Sequence, residues 1–126
     1  MARLNYIPDR GDLVHVNLSP SAGRELTGLH HALVLSPKTY NRPTGTAVCV
    51  GITSRIRGGS FEVVLPIGHL PPKSGIGDVE SAILADSVRQ LDYRERSMSF
   101  IAKCPRAILD EVTMRTLAII DPEVAF

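Results

Sequence analysis

The sequence predicts a small, mostly antiparallel β-barrel with one C-terminal helix. Short apolar or alternating runs recur along most of the chain, and Pro, Gly or polar turn formers bound each of them, as they bound strands. Only the last segment changes to the helical period. The chain has 126 residues, of which 44% are hydrophobic and 21% charged, which suits a soluble domain with a modest core. We therefore expect one domain over residues 1–126.

The first two strands are predicted on either side of a polar loop. Residues 12–18 alternate between polar and apolar side chains, and Pro20 ends them. Residues 19–29 contain two glycines and show no periodicity, which predicts a mobile loop. Residues 30–36 are nearly all apolar after two histidines, and Pro37 ends this second strand.

Two more strands are predicted beyond a connection over residues 37–45, which is rich in turn formers. The third strand, over residues 46–54, has small side chains on one face, at Ala47, Cys49, Gly51 and Thr53. Such a face would let a ligand or a second backbone come close. A Gly58-Gly59 turn then leads into the fourth strand, over residues 61–65.

The C-terminal half is predicted to begin with a loop and to end with a helix. Residues 66–78 are rich in proline and glycine, and strand signals return over residues 83–93 and 99–104. Pro105 suits the first turn of a helix and Pro122 ends it. One stripe of that helix is formed by Leu109, Val112, Thr113, Thr116, Leu117 and Ile120.

The charges are distributed unevenly, although the formal net charge is only +1. No acidic residue lies between Glu25 and Glu62, whereas this stretch contains the basic residues Lys38, Arg42, Arg55 and Arg57. Such an asymmetry can steer a polyanion to one face of a nearly neutral molecule. A chance distribution of charges would give the same pattern, so both interpretations stay open.

Several classes of protein and site are disfavoured by the sequence. No apolar run approaches the roughly 20 residues of a membrane helix, and the N-terminus lacks the apolar region of a secretory signal. We therefore expect a cytoplasmic protein without membrane contact. Cys49 and Cys104 are the only cysteines, too few for a disulfide framework, and Cys49 is expected to be a buried hydrophobic residue. No metal or cofactor is expected.

Five short stretches occur in an informative order, at residues 10–20, 30–37, 40–45, 48–54 and 61–65. In this order they resemble the MazF/PemK family, the RNA-cutting toxins of bacterial toxin–antitoxin pairs. The resemblance covers about residues 6–120. It implies the SH3-like barrel that this family shares with the CcdB toxins, in agreement with the strand pattern.

The resemblance also implies a function and partners. The family cleaves single-stranded RNA at specific sequences without a metal, by attack of the RNA's own 2′-hydroxyl. It acts as a homodimer, and a cognate antitoxin neutralises it with an acidic, flexible tail. Single-stranded RNA, the antitoxin and a second copy of the chain are therefore the expected partners.

Three catalytic residues are implied by the resemblance. Thr53 matches a Thr that ends strand three, and Glu25 matches an acidic loop position implicated in acid–base work. The stretch Gly28-Leu29-His30-His31-Ala32 corresponds to a Gly-x-Arg-Pro-Ala motif of the family, so His30 stands in the position of the catalytic Arg. Histidine exchanges protons near neutral pH, which Arg does poorly. His30 could therefore move the proton while an Arg elsewhere holds the phosphate.

Six further residues are expected to contact RNA, namely Arg24, His31, Tyr40, Arg55, Arg57 and Asp86. Arginine matches phosphate oxygens in a forked geometry, and Tyr40 is the expected stacking platform for a base. Asp86 matches an Asp that is tied to catalysis in the PemK branch, but the Arg two residues before it is Leu84 here. For each of these residues the alternative is a purely structural role, as a solvated surface charge, a packed ring or a turn cap. Adjacent strand residues point to opposite faces, so only one of the two histidines is expected in a given site.

Two alternatives to an active ribonuclease remain. Without the motif Arg, the chain could be an RNA-binding or antitoxin-binding module that does not cut. A CcdB-like inhibitor of gyrase would share the fold, but such toxins depend on C-terminal aromatic and small residues. This chain ends Pro122-Glu123-Val124-Ala125-Phe126 and contains no Trp, which disfavours that function.

Overall fold

The computed structural model describes residues 5–19, 22–23, 29–66 and 80–123. Six strands and two helices lie in this part of the chain, in the order β1 (Asp12–Asn17), β2 (Leu29–Val34), α1 (Lys38–Thr44), β3 (Thr46–Thr53), β4 (Glu62–Leu65), β5 (Ser81–Asp92), β6 (Ser99–Lys103) and α2 (Arg106–Ile120). The predicted strands are confirmed to within a few residues at their ends. Most of the predicted loops at residues 19–29 and 66–78 lie outside the described residues.

The strands form one sheet in the order β4-β5-β3-β2-β1-β6. Every neighbouring pair is antiparallel. Both faces of this sheet carry buried apolar side chains. The prediction of a mainly β fold with a C-terminal helix is therefore confirmed.

Two hydrophobic clusters cover the two faces of the sheet. The first packs beneath α2 and includes Leu13, Leu33, Val50, Ile83, Leu109 and Val112. The second includes Val14, Val16, Ala32, Cys49, Leu91 and Tyr93. The strict alternation along β1, with Leu13 in one cluster and Val14 in the other, follows from the two-residue period of a strand.

Strand β5 contains a bulge opposite Gly51 of β3. Val50 pairs with Val88 and Ile52 with Ile83, so β5 carries several extra residues between these two pairs. Bulges bend a strand and increase its twist, and a glycine inside a strand often marks one. Since β5 lies between β3 and β4, the segment that joins β3 to β4 has to cross β5 near this bulge.

Helix α1 was not predicted, because residues 37–45 were expected to form a connection of turns. Asp9 lies in the segment before β1. Its carboxylate accepts a hydrogen bond from the backbone N–H of Lys38, the first residue of the helix, at 2.8 Å. The buried side-chain amide of Asn41 donates to the carbonyl of Pro8 at 2.7 Å. Gly45 ends the helix with a φ of 72° and donates to the carbonyl of Asn41. These long-range contacts stabilise a helix that its local sequence does not favour.

The C-terminal helix is confirmed, but its predicted apolar stripe is only partly buried. Leu109, Val112 and Thr116 are buried, and the Thr116 hydroxyl donates to the carbonyl of Ala85 at 2.8 Å. Leu117 and Ile120 lie on the same stripe but remain 42% and 75% exposed.

Candidate functional site

A cavity of about 640 Å³ lies where residues 54–61 cross β5. We call this segment the arginine loop, because it contains Arg55 and Arg57, and we call the space the β5 cavity. Its lining includes Thr53, Arg55, Arg57, Asp86, Ser87 and Arg89. The structure thus brings together four residues that the sequence singled out for catalysis or RNA contact, from β3, the arginine loop and β5.

Thr53 stands at the point where β3 ends and the arginine loop begins. Its side chain is half-buried, and its hydroxyl oxygen accepts a hydrogen bond from the backbone N–H of Arg55 at 3.0 Å. A hydroxyl that accepts one bond can still donate its proton to another group. Thr53 can therefore hold the start of the loop and offer a hydrogen bond to a bound anion.

The two arginines of the loop are available for an anion. Arg55 and Arg57 are both exposed. In the described part of the chain, neither guanidinium forms an ion pair with a carboxylate. Arginine recognises phosphate through two parallel N–H bonds. Two such groups beside one hydroxyl form an arrangement suited to a phosphate.

The strand register determines where the two histidines lie. Val16 pairs with His30 across β1 and β2, and His31 pairs with Ile52 across β2 and β3. One step further along that second register, His30 and Thr53 are the next residues of the two strands. Opposed residues of an antiparallel pair have Cβ atoms about 4.5–5.5 Å apart. His30 is thus a strand neighbour of Thr53, although it is not part of the cavity lining.

His31 points to the other face of the sheet from His30, because strand residues alternate. Its ring lies against that of His15, with centroids 5.3 Å apart in an edge-to-face arrangement. His15 pairs with His31 across the two strands. The structure therefore does not bring His31 into the β5 cavity.

The remaining predicted residues are distributed as follows. Tyr40 lies on α1, apart from the cavity lining, and its hydroxyl accepts a hydrogen bond from the side-chain amide of Gln90 at 2.8 Å. Asp86 is an exposed residue of β5 that lines the cavity. Arg24 and Glu25 lie outside the described residues.

The residues that line the cavity but were missed from the sequence include Glu62, Ser87 and Arg89. Glu62 begins β4, and its carboxylate accepts hydrogen bonds from the arginine loop. The guanidinium of Arg89 donates to the carbonyl of Leu18 at 2.9 Å. Alternation along β5 could have placed Ser87 and Arg89 on one face. No local signal identifies Glu62, because its proximity to the loop depends on the crossing over β5.

In the described part of the chain, the groups whose pKa is clearly shifted lie away from the β5 cavity. Burial raises the pKa of the Cys49 thiol to about 12 and that of Cys104 to about 11. Both cysteines are free. Among the residues that the structure describes, no cluster of three or more His, Cys, Asp or Glu side chains is arranged to hold a metal ion. Within the same residues, no helix is both long and apolar enough to cross a membrane.

Comparison with known proteins identifies relatives over most of the chain. A family model described as a PemK-like, MazF-like toxin of type II toxin-antitoxin systems matches residues 9–120. The endoribonuclease toxin MazF of Escherichia coli K12 is 41% identical over 91 residues, which are 72% of this chain and 74% of that protein. The endoribonuclease PemK of Escherichia coli is 30% identical over 113 residues, or 89% of this chain and 81% of PemK.

Solved structures agree with these matches. The crystal structure of MazF from Deinococcus radiodurans superposes with a TM-score of 0.82 at 39% identity, over 92% of this chain and 98% of that one. A crystal structure of MazE-MazF from the same organism gives a TM-score of 0.75 at 35% identity, over 93% and 98% of the two chains. The expected barrel-type fold and the expected family of toxin endoribonucleases are both confirmed. The chain belongs to the family of PemK-like, MazF-like toxins of type II toxin-antitoxin systems.

Proposed function

We propose that this protein is a toxin that cleaves single-stranded RNA by attack of the substrate's own 2′-hydroxyl. The single observation that supports this best is the β5 cavity, where the Thr53 hydroxyl stands beside the exposed arginines Arg55 and Arg57. The reaction class is supported by relatives whose names are endoribonuclease MazF, PemK and ChpB. Recognition of a short RNA sequence is part of the proposal.

The chemistry divides into three tasks. The 2′-oxygen attacks phosphorus as its proton leaves, a pentavalent phosphorane gathers negative charge, and the bond from phosphorus to the 5′-oxygen breaks. The products are a 2′,3′-cyclic phosphate and a 5′-hydroxyl, so the proton taken from the nucleophile is matched by one given to the leaving oxygen. Because the nucleophile belongs to the RNA, the protein has only to move protons and stabilise charge.

The residues of this chain can fill those roles. His30 takes the proton of the 2′-hydroxyl, since a neutral imidazole accepts a proton near neutral pH. Thr53 donates a hydrogen bond to a phosphoryl oxygen, and Arg55 and Arg57 hold the charge on the phosphorane. Glu25 supplies the proton of the leaving 5′-oxygen, a role that rests on its match to the acidic loop position of the family.

RNA contacts beyond the cleaved phosphate are proposed along β5 and its neighbours. Asp86 lines the same cavity as the arginines, where its carboxylate can accept a hydrogen bond from a base edge. Tyr40 is 37% exposed, and its hydroxyl is bonded to Gln90 of β5. Its ring is therefore proposed as a platform for base stacking. Arg24 and His31 remain proposed contacts on the sequence alone.

A cognate antitoxin is the proposed protein partner, with an acidic, flexible segment that occupies the β5 cavity. The similarity to a MazE-MazF structure supports this part of the proposal. The exposed guanidinium groups of Arg55 and Arg57 have the complementary charge. The working unit is proposed to be a homodimer.

The test is cleavage of a long natural RNA by the purified protein in EDTA, with the product ends mapped and His30→Ala alongside. We expect cuts at a short recurring sequence with 5′-hydroxyl ends, and loss of these cuts in the variant. A second candidate, a binding module without cutting activity, is favoured by one observation, the His at the position of the family's Arg. A folded wild-type protein that binds the RNA and leaves it intact would establish that second function instead.

A further inference from the structure

We infer that Glu62 is a positioning residue of the RNA site, which holds the arginine loop in the conformation that presents Arg55 and Arg57. The inference rests on the proposed function, because it takes these two arginines to contact RNA phosphates. Glu62 is the first residue of β4 and lines the β5 cavity.

The carboxylate of Glu62 is bound to the middle of the loop through the backbone. Oε1 accepts hydrogen bonds from the N–H of Arg57 at 3.0 Å and from the N–H of Gly58 at 2.8 Å. Oε2 accepts from the N–H of Arg57 at 3.2 Å. Successive N–H groups that converge on one anion form a backbone nest, and an ionised acceptor strengthens such bonds. The carboxylate therefore fixes the backbone at Arg57 directly.

Gly58 makes this geometry possible. Its φ is 79°, in the left-handed region that side chains with a Cβ rarely adopt. No atom lies within 4 Å of a Cβ built at this position, so the requirement for glycine comes from the backbone conformation and not from crowding. The turn at Gly58 and the carboxylate of Glu62 thus act together on one point of the loop.

The bonds from Arg57 and Gly58 to the Glu62 carboxylate form a clamp on the loop, and the position of Glu62 is itself fixed. The backbone of Glu62 pairs with Leu84 of β5, and its N–H donates to the carbonyl of Gly59 at 3.1 Å. The guanidinium of Arg115, on α2, donates to the carbonyl of Ser60, and its Nε donates to Glu111 at 2.7 Å. The two ends of the loop are therefore held by Thr53 and by Arg115. In the part of the chain that the structure describes, Glu62 alone accepts the N–H bonds of the loop's centre.

Two effects of the Glu62 charge on RNA have opposite signs, which makes the inference testable. If the carboxylate acted only as a negative charge beside the cavity, removing it would strengthen RNA binding. If it positions the loop, removing it lets the centre of the loop adopt other conformations, and RNA binding has to order them again. The second case predicts weaker binding. The chemical step should slow as well, because Arg55 and Arg57 hold the charge on the phosphorane in the proposed function. RNA binding is therefore the measurement that separates the two cases.

The experiment measures kcat, KM and the salt dependence of RNA binding for Glu62→Gln and Glu62→Ala, using a short RNA that the wild type cleaves. Glu62→Ala should raise KM by about tenfold, the cost of ordering one or two residues again. Glu62→Gln keeps one acceptor oxygen, so its KM should lie between those of the wild type and Glu62→Ala. Glu95→Gln, an exposed turn residue, is the matched control for loss of one negative charge.

A second variant approaches the same point without altering a charge. Gly58→Ala strains the left-handed backbone and should reproduce the higher KM while Glu62 is intact. An unchanged or lower KM in both Glu62 variants would overturn the inference. In that case Arg55→Ala/Arg57→Ala tells which proposal failed. Loss of RNA binding in the double variant would leave the RNA role of the loop standing without the clamp. Unaltered binding would remove the arginines from the proposed function as well.

Discussion

The hydroxyl oxygen of Thr53 accepts a hydrogen bond from the backbone N–H of Arg55 at 3.0 Å. A side chain of Ser or Thr that bonds a backbone N–H two residues later forms a local turn. The last residue of β3 therefore sets the direction in which the arginine loop leaves the sheet. Thr53 also lines the β5 cavity. One residue thus links the geometry of the loop to the proposed chemistry.

We predict that Thr53→Val lowers kcat/KM by about 100-fold, the usual effect of removing one hydrogen-bond donor from a developing anion. Valine keeps the branched shape and the strand preference but has no hydroxyl. Thr53→Ser keeps the hydroxyl and should retain most of the activity. Steady-state cleavage of a short RNA measures both variants. Wild-type activity in Thr53→Val would show that Thr53 only packs.

We predict that replacing Arg55 and Arg57 together by Ala weakens RNA binding and flattens its salt dependence. Each lost phosphate contact on a single strand lowers the slope of log K against log salt by about 0.7, so the pair should lower it by about 1.4. Binding titrations at several salt concentrations give the slope. Arg106→Ala, on the exposed side of α2, removes a cation that is paired with Asp110 and serves as the control. An unchanged slope in the double variant would mean that the two arginines do not meet phosphates.

Most of the fold could be predicted because strands and the long helix have local periodic signals. The alternation over residues 12–18 and the helical stripe around Leu109 are properties of neighbouring residues. Helix α1 could not be predicted, because its first N–H is capped by Asp9, which is distant in sequence. The side-chain amide of Asn41 is likewise held from outside the helix, by the carbonyls of Pro8 and Ser36. A local sequence with an internal proline gives no sign of such support.

The cap from Asp9 leads to a prediction about stability. Asp9→Ala should lower the free energy of unfolding at neutral pH by about 1 kcal/mol, as loss of a helix cap does. The N–H groups of Lys38 and Arg10 hold the pKa of the Asp9 carboxyl below its usual value. Asp9 therefore stabilises the fold fully above the pKa of the unfolded state, about 4, and this contribution disappears as the pH falls through the lower folded value.

Urea unfolding of the wild type and of Asp9→Ala between neutral and acid pH measures this effect. The difference between the two proteins should be largest near neutrality and should shrink as the pH falls below about 4. A difference that stays constant down to that range would show that the carboxylate charge does not support the cap.

The two cysteines should be unreactive in the folded protein. Burial raises the pKa of Cys49 to about 12 and that of Cys104 to about 11, and the thiolate is the form that reacts. At a mildly alkaline pH both thiols are therefore protonated as well as covered. Iodoacetamide should label them only when the protein is unfolded by guanidinium, which mass spectrometry detects. Rapid labelling of Cys49 in the native protein would mean that the strand around it opens.

The candidate site was less predictable than the fold, and the reason is topological. Thr53 could be found by its match to the family motif, and Arg55 and Arg57 by the chemistry of their side chains. Asp86 joins them only because β5 inserts between β3 and β4. Glu62 approaches the loop by the same crossing, so nothing in its own neighbourhood reveals a role. A site assembled by a crossover depends on the order of strands, which a single sequence does not specify.

His30 allows the sharpest test of how this chain differs from its relatives. We predict that His30→Ala abolishes cleavage and leaves the dissociation constant for RNA nearly unchanged, because His30 moves a proton and the arginines hold the phosphate. His30→Arg recreates the Gly-x-Arg motif and places a cation next to Thr53. If His30 is the base, this variant should also lose most of its activity, since a guanidinium does not exchange protons near neutrality. Cleavage rates and RNA binding, measured side by side for the three proteins, decide the matter. An arginine variant as active as the wild type would show that this position supplies charge, and that another residue moves the proton.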